Sequence, residues 1–273
     1  MQSPIFSDLS LSRRLERAEG RASASFVDTR ARLYPDSGAE SIEVAGALAM
    51  FDGPASPITQ TFGLGMFEPV TAVNLGRLEE FFRAHGAPIF HEVSPLADPS
   101  ALALLNERGY QPVELTTILF RPIDRDVRLA ATRNERIRVW VAGEDEQDLW
   151  SATAAHGWSE FAEVAGQVAE LGRVSFNIPG AVCFLAELEG EAIATGTLLT
   201  SDGVALLAGA STVPEARKQG AQLALLEARL RHGAGAGCDF AMMGAAPGSA
   251  SQRNAERHGF RIAYTRIKWR LGQ

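Results

Sequence analysis

The stretch VPEARKQGAQLALLEARL, residues 213–230, reads as a helix with an unusual beginning, and it follows a wholly apolar strand candidate, VALLAGAST (204–212). Arg217 and Lys218 stand where a helix favours negative charge, at a cost of about 0.3–1 kcal/mol each. Gly220 falls in the same turn. One reading is a capping box in TVPE, with Thr212 as cap, Pro214 in the first turn and Glu215 reaching back. It leaves Gly220 inside a helix, at about 1 kcal/mol. The other reading starts the helix at Gly220, after a short cationic loop. The N–H groups of Gln219, Gly220, Ala221, Gln222 and Leu223 then converge on one spot, where unpaired donors and the helix dipole favour an anion. Gly220 lets the backbone approach closely, Arg217 and Lys218 add charge, and Leu223, Leu226 and Leu230 anchor the helix by one apolar face. A phosphate or pyrophosphate site accounts for the arrangement better than a cap.

The Gly-Lys-Ser/Thr of the phosphate-cradling NTPase loop is absent. GAGAG at 233–237 follows a helix and precedes a strand, the wrong order for a dinucleotide fingerprint, and reads as a flexible turn.

Around this motif the second half reads as strand and helix in alternation. RIRVWVAG alternates Ile137, Val139 and Val141 as a half-buried strand, and EDEQDLWSATAAHGW begins as an acid-rich helix. A further helix covers about 160–170. AVCFLAEL and AIATGTLLT are strands joined by EGE, a hairpin signal. CDFAMMGA is a strand, SQRNAERHGF a short helix and AYTRIKWRL the last strand.

The first half follows the same order. A helix spans about residues 8–33. Strands ESIEVAGALAMF and ITQTFGLG flank the turn DGPASP, then come a helix in VNLGRLEEFFRAHG, the short strand APIFHEVSP, a helix in SALALLNERGY and the strand VELTTILFRP. Thr116, Ile118, Phe120 and Arg121 correspond to Thr265, Ile267, Trp269 and Arg270, with Gly109-Tyr110 and Gly259-Phe260 before them. Each short helix follows a strand ending in proline, Pro95 or Pro247, and each preceding helix ends in His-Gly, at 85–86 and 232–233. The matched order implies a duplicated α/β domain of about 130 residues, with the polar, arginine-rich IDRDVRLAATRNER between the copies as a linker.

Composition sets the class. The chain has 273 residues, enough for two ordinary domains. A net charge of -7 argues against nucleic acid as the main partner, since neutralising phosphates needs a basic face. Cys183 and Cys238 lie in apolar runs without metal-site spacing and read as buried thiols in a reducing compartment. No stretch reaches the ~20 apolar residues of a membrane span and the amino terminus lacks a signal-peptide core, so a soluble cytoplasmic protein is expected.

With the loop and the repeat in place, the sequence resembles the GNAT superfamily of acetyl-CoA-dependent N-acetyltransferases. Its pyrophosphate loop has the pattern Arg/Gln-x-x-Gly-x-Gly/Ala; Arg217 and Gly220 match, and Gln222 replaces the last small residue. SQRNAERHGF plus its strand resembles the second superfamily motif, which ends in Gly-Phe. FEPVTAVNLGRLEEFF in the first half has neither the paired cations nor the spacing. The resemblance implies two tandem α/β domains, each a mixed, mostly antiparallel sheet flanked by helices. A degenerate copy is expected at 1–125, a linker at 126–136 and the acetyl-CoA-binding domain at 137–273.

The resemblance also implies the chemistry. Acetyl-CoA would be a co-substrate, with its pantetheine arm on the strand edge at Ser211, Thr212 and Val213. Its pyrophosphate would lie on the loop at Arg217, Lys218, Gln219, Gly220, Ala221, Gln222 and Leu223, with Ser251 and Asn254 near the sulfur. A small-molecule amine would attack the thioester directly, with the oxyanion held by a strand N–H. Many members place a tyrosine where this chain has Ala255, and a glutamate on the central strand where VALLAGAST has no carboxylate. His156 and Glu160 in HGWSEF would line the acceptor side, and His is suited to a general base near neutral pH. Glu187 and Tyr264 are weaker candidates. A CoA-binding regulator without turnover and an unrelated phosphate-binding protein are the competing readings. Either a monomer, with the copies packed as a pseudo-dimer, or a homodimer fits.

Overall fold

Asp8 starts the first helix, its carboxylate accepting the Leu11 N–H at 2.9 Å, and α1 runs Leu9–Leu33. The computed structural model describes residues 5–123, 129, 134–159 and 162–272. The chain folds as two units. One comprises Met1–Phe120, Gly244–Glu256 and Phe260–Gln273; the other comprises Arg121–Met243 and Arg257–Gly259.

In the first unit α1 is followed by β1 (Glu40–Val44), β2 (Ala47–Phe51), β3 (Gln60–Phe62), α2 (Ala72–Ala84), β4 (Phe90–Val93), α3 (Pro99–Glu107) and β5 (Tyr110–Pro122). ESIEVAGALAMF, expected as one strand, is a hairpin. Ala45 and Gly46 both take positive φ, 52° and 76°, which turns the chain in two residues. Ala-Gly carries less of that signal than Asn-Gly, because alanine is rarely found left-handed.

The last strand, β11 (Arg261–Leu271), also belongs to this unit. It lies between β4 and β5 and pairs antiparallel with both. The strand order here is β1-β2-β3-β4-β11-β5, antiparallel except for β3 with β4. The carboxy-terminal repeat therefore lends its final strand to the amino-terminal one, a departure from the simple division at residues 126–136. Leu75, Leu78 and Phe82 of α2 pack with Leu105, Val93, Tyr110 and Trp269 in one apolar cluster.

The second unit contains β6 (Ile137–Val141), α4 (Gln147–Gly157), α5 (Ala162–Phe176), β7 (Val182–Leu188), β8 (Glu191–Ser201), β9 (Val204–Thr212), α6 (Ala221–Gly235) and most of β10 (Phe240–Ala245), whose last two residues fall in the first unit. Its strands run β10-β9-β8-β7-β6, so apolar β9 is interior as expected. Only β9 with β10 is parallel. Trp150 of α4 is buried with Ala154, Cys183 and Leu185, and its indole N–H donates to the Phe184 carbonyl at 3.0 Å. Cys183 and Cys238 are buried and in no disulfide, and burial pushes the Cys183 thiol up to about 11. The short helix α7 (Ala250–Arg257) precedes β11. Among the described residues no helix is long and apolar enough to cross a membrane.

Candidate functional site

β9 supplies an open strand edge. Its pairing with β10 is confined to Val204, Ala205 and Leu206, whereas its pairing with β8 continues to Thr212. The β8–β9 register breaks between Thr195↔Ser211 and Thr197↔Ala208, which leaves Gly209 and Ala210 opposite Gly196 as a bulge. Gly209 is left-handed at φ 57°, and both bulge residues are exposed. A glycine inside a strand pattern is a bulge signal.

Beyond β9 the chain tightens into a 3₁₀ turn at Pro214–Ala216, then extends at Arg217. Lys218 (φ 65°) and Gly220 (φ 98°) are both left-handed. Gly220 caps α6 without a side-chain hydrogen bond, so the helix starts after the cationic loop and not in TVPE. The Leu223 N–H donates to the Gly220 carbonyl at 3.1 Å. The amides of Ala221 and Gln222 precede it and have no partner within the helix. Arg217, Lys218 and Gln219 are exposed around them.

Three contacts fix this loop. Asn134 donates from its side chain to the Gln219 carbonyl at 2.9 Å, holding the loop to the start of β6. Gln222 donates from Nε2 to the Ser211 carbonyl at 3.0 Å and to the Thr212 hydroxyl at 2.8 Å, tying the first turn of α6 to the end of β9. Arg217 donates to the Gly157 carbonyl at 3.3 Å, joining the loop to the end of α4. Ser211 is buried, its hydroxyl against Thr195 Oγ1 at 3.0 Å and the Ala154 carbonyl at 3.3 Å, while the Val213 N–H donates to the Ile193 carbonyl at 2.9 Å.

The structure thus brings together Ser211, Thr212, Val213 and the whole loop from Arg217 to Leu223. His156, exposed in the last turn of α4, joins them, with Nε2 3.5 Å from the Glu215 carboxylate. Glu160 lies outside the described residues. Ser251, exposed, and Asn254, half-buried, stand on α7 in the other unit. Glu187 faces Arg138 at 3.7 Å on the β6–β7 pair. Tyr264 is buried in the first unit and donates to Glu16 at 2.8 Å. Leu223 is only half-buried; the buried face of α6 is Ala221, Ala224, Leu225, Leu226, Arg229, Leu230 and Gly233. Asn134, Gly157 and the Gly209–Ala210 bulge also shape this site without having been singled out above. Asn134 sits in a run whose composition reads only as linker.

The equivalent place in the first unit is closed. After β3 the chain turns through Gly65, where a β-carbon would stand 2.9 Å from that of Ala101 on α3. The Asp98 N–H donates to the Gly65 carbonyl at 2.8 Å, and the Val70 N–H to Ser100 Oγ at 2.8 Å. Thr71 caps α2 by accepting the Asn74 N–H at 3.1 Å. Side chains of the unit itself thus take the Val70 and Asn74 N–H groups at the start of α2. A groove of about 240 Å³ does lie against α1 in this unit, lined by Glu16, Arg17, Arg21 and Phe67, but it has no such loop.

No protein-family model matches the chain, and no curated protein does. Solved structures are similar over nearly the whole length. A GCN5-related N-acetyltransferase from Kribbella flavida is 17% identical, with a TM-score of 0.64 over 93% of this chain and 95% of its own. A tandem GNAT protein from the clavulanic acid biosynthesis pathway is 14% identical, with a TM-score of 0.58 over 99% and 98%. An acetyltransferase from the GNAT family of Colwellia psychrerythraea is 16% identical, with a TM-score of 0.51 over 88% and 87%. At these identities the likeness is one of fold, and the fold is the tandem GNAT fold.

Proposed function

We propose that this chain, built on the tandem GNAT fold, is an N-acetyltransferase that moves an acetyl group from acetyl-CoA to the amine of a small-molecule acceptor. The observation that carries the reading is the junction of an open β9 edge with an uncapped, cation-flanked start of α6, confined to the second unit. The amides of Ala221 and Gln222 and the Lys218 ammonium would hold the pyrophosphate. The exposed bulge at Gly209 and Ala210 would meet the pantetheine arm and the thioester.

In the reaction the neutral amine attacks the thioester carbonyl. The C–N bond forms, the C–S bond breaks, CoA leaves as the thiolate, and the amine proton passes to a base. We assign that role to His156, at the end of α4, with Nε2 3.5 Å from the Glu215 carboxylate. A CoA-binding protein without turnover is the second reading. One observation favours it: β9 carries no carboxylate to act as a base.

A thermal-shift titration with acetyl-CoA tests the binding step, with Gly220→Glu as control. At a hundredfold excess over Kd a native-state ligand adds about 2.7 kcal/mol, enough to raise Tm visibly. The shift is expected in the wild type and lost in the variant. No shift at millimolar acetyl-CoA would sink the reading. Binding without acetylation of any amine in a broad panel would favour the second.

A further inference from the structure

We infer that Arg229 is a positioning residue for the acyl carbonyl: a buried cation that holds the Gly209–Ala210 bulge from behind and polarises the peptide with which β9 grips the thioester. The inference rests on the acyl-CoA reading above.

Arg229 occupies the buried face of α6, where helical spacing calls for an apolar side chain, and it is 4% exposed. Among the described residues no carboxylate pairs with it. Its Nε donates to the Leu225 carbonyl at 3.2 Å within α6, and its Nη1 reaches the Ala208 carbonyl at 3.4 Å, the residue just before the bulge. Burial alone pushes its pKa down to about 10. The strand opposite is shaped to admit it: a β-carbon on Gly196 would stand 3.1 Å from Cζ and 3.2 Å from Nε and Nη1. Gly196 is also the residue facing the bulge.

A methionine or leucine would fill this place without burying a charge, which is costly when no counter-charge accompanies it. The position of the guanidinium suggests what the charge does. In a trans peptide the C=O and N–H point in opposite directions. A cation on the Ala208 carbonyl therefore leaves the Gly209 N–H directed away from Arg229, on the strand whose far edge is open. Withdrawing electron density through that peptide strengthens the N–H as a donor, and the low dielectric behind the sheet leaves the effect unscreened. A donor backed in this way favours the carbonyl oxygen of a bound thioester, and more so as it gains charge.

The experiment compares two ligands on the full chain. Acetyl-CoA and the thioether S-ethyl-CoA share every phosphate and pantetheine contact and differ only in the carbonyl. Calorimetry gives their affinity ratio, and infrared difference spectra of acetyl-CoA labelled with ¹³C at the carbonyl report the C=O stretch. In the wild type the stretch is expected at lower frequency than in water, with acetyl-CoA bound about tenfold more tightly than the thioether, the size of a charge-assisted hydrogen bond. Arg229→Met should abolish the frequency shift and bring the ratio towards one, leaving S-ethyl-CoA affinity unchanged. Arg229→Gln, which keeps a donor for the Ala208 carbonyl without the charge, should behave like the methionine variant. Arg229→Lys should retain most of both signals. If Arg229→Met does not fold, the glutamine and lysine pair carries the comparison. A wild-type shift and ratio in either neutral variant, or their loss in a folded Arg229→Lys, would overturn the inference. Failure of both ligands to bind the wild type would instead remove the acyl-CoA reading.

Discussion

Gly157 and Ser211 approach so closely that no side chain fits at 157: a β-carbon there would stand 2.6 Å from Ser211 Oγ and 3.1 Å from the Thr212 nitrogen. This approach seats the end of α4 on the end of β9, and through it the His156 ring and the Arg217 contact reach the loop. Gly157→Ala is expected to push the two elements apart. Overpacking of this kind costs about 1–3 kcal/mol, to be read from urea unfolding. Acetyl-CoA affinity should fall with it. A variant as stable as the wild type would show that α4 can shift freely.

Lys218 combines charge and backbone strain at one position. A left-handed non-glycine residue costs roughly 1–2 kcal/mol, part of which glycine returns through the unfolded chain. Lys218→Gly should therefore be more stable by about 0.5–1 kcal/mol and yet bind acetyl-CoA more weakly, by roughly two- to fivefold at low salt. The opposite signs separate binding from folding in one variant. Equal affinity across a salt series would remove Lys218 from the anion site.

Arg266 of β11 is buried among three carboxylates. Its Nε donates to Glu92 at 2.9 Å, and its Nη1 donates to Glu19 at 2.9 Å and to Glu16 at 3.3 Å. Burial pushes the carboxyls of Glu16 and Glu92 upward, and Arg266 draws them back. Arg266→Met should cost about 3–5 kcal/mol at pH 7, because it leaves buried carboxylates uncompensated. Their protonation relieves the repulsion, so the loss should shrink as pH falls towards 5. A loss independent of pH would mean that the arginine acts by shape alone.

His91 gives a separate pH signature. It is fully buried, with Nε2 3.0 Å from the Tyr110 hydroxyl, which in turn donates to Glu79 at 3.1 Å. Burial pushes its pKa from 6.5 down to about 4, only partly opposed by the Glu79 carboxylate. The unfolded chain then binds a proton that the folded chain refuses between those values. The contribution is complete above about pH 6.5 and is lost as pH falls towards 4, with a slope of about 1.4 kcal/mol per pH unit. Glu16 and Glu92, raised in the folded state, act in the opposite direction above 4.5. The difference between wild type and His91→Gln isolates the histidine. Parallel stability profiles for the two would count against it.

The start of α6 was legible because two cations and a glycine at 217–220 violate what a helix amino terminus prefers, and the structure keeps that violation as a left-handed, uncapped turn. The repeat was legible because the later part of each half, three strands followed by helix, strand, helix and strand, keeps its type and order. The partners of β11 were not. AYTRIKWRL alternates identically whichever strands flank it, since alternation specifies a face and not a neighbour. Arg229 was hidden for another reason: it follows Leu225 and Leu226 by four and three residues and so shares their apolar face, but a long arginine there reads as one that reaches out to water. Gly157 reads as an ordinary helix end, and only the fold brings Ser211 beneath it. The Ala45–Gly46 turn was missed because alanine seldom takes positive φ.

The place of β11 between β4 and β5 has a consequence for synthesis. Folding at the ribosome usually proceeds from the amino terminus, one domain at a time, at about 5–20 residues per second. Here β4 and β5 emerge early but lack the strand that joins them. Their sheet waits roughly ten to thirty seconds longer, until β11 has been synthesised. During that interval two strand edges stand unpaired, a natural target for chaperones and for neighbouring nascent chains on the same message. A stop codon placed just before Arg261 would leave the carboxy-terminal anion loop encoded intact and yet cripple the other half of the molecule. The duplicated halves can no longer be inherited separately.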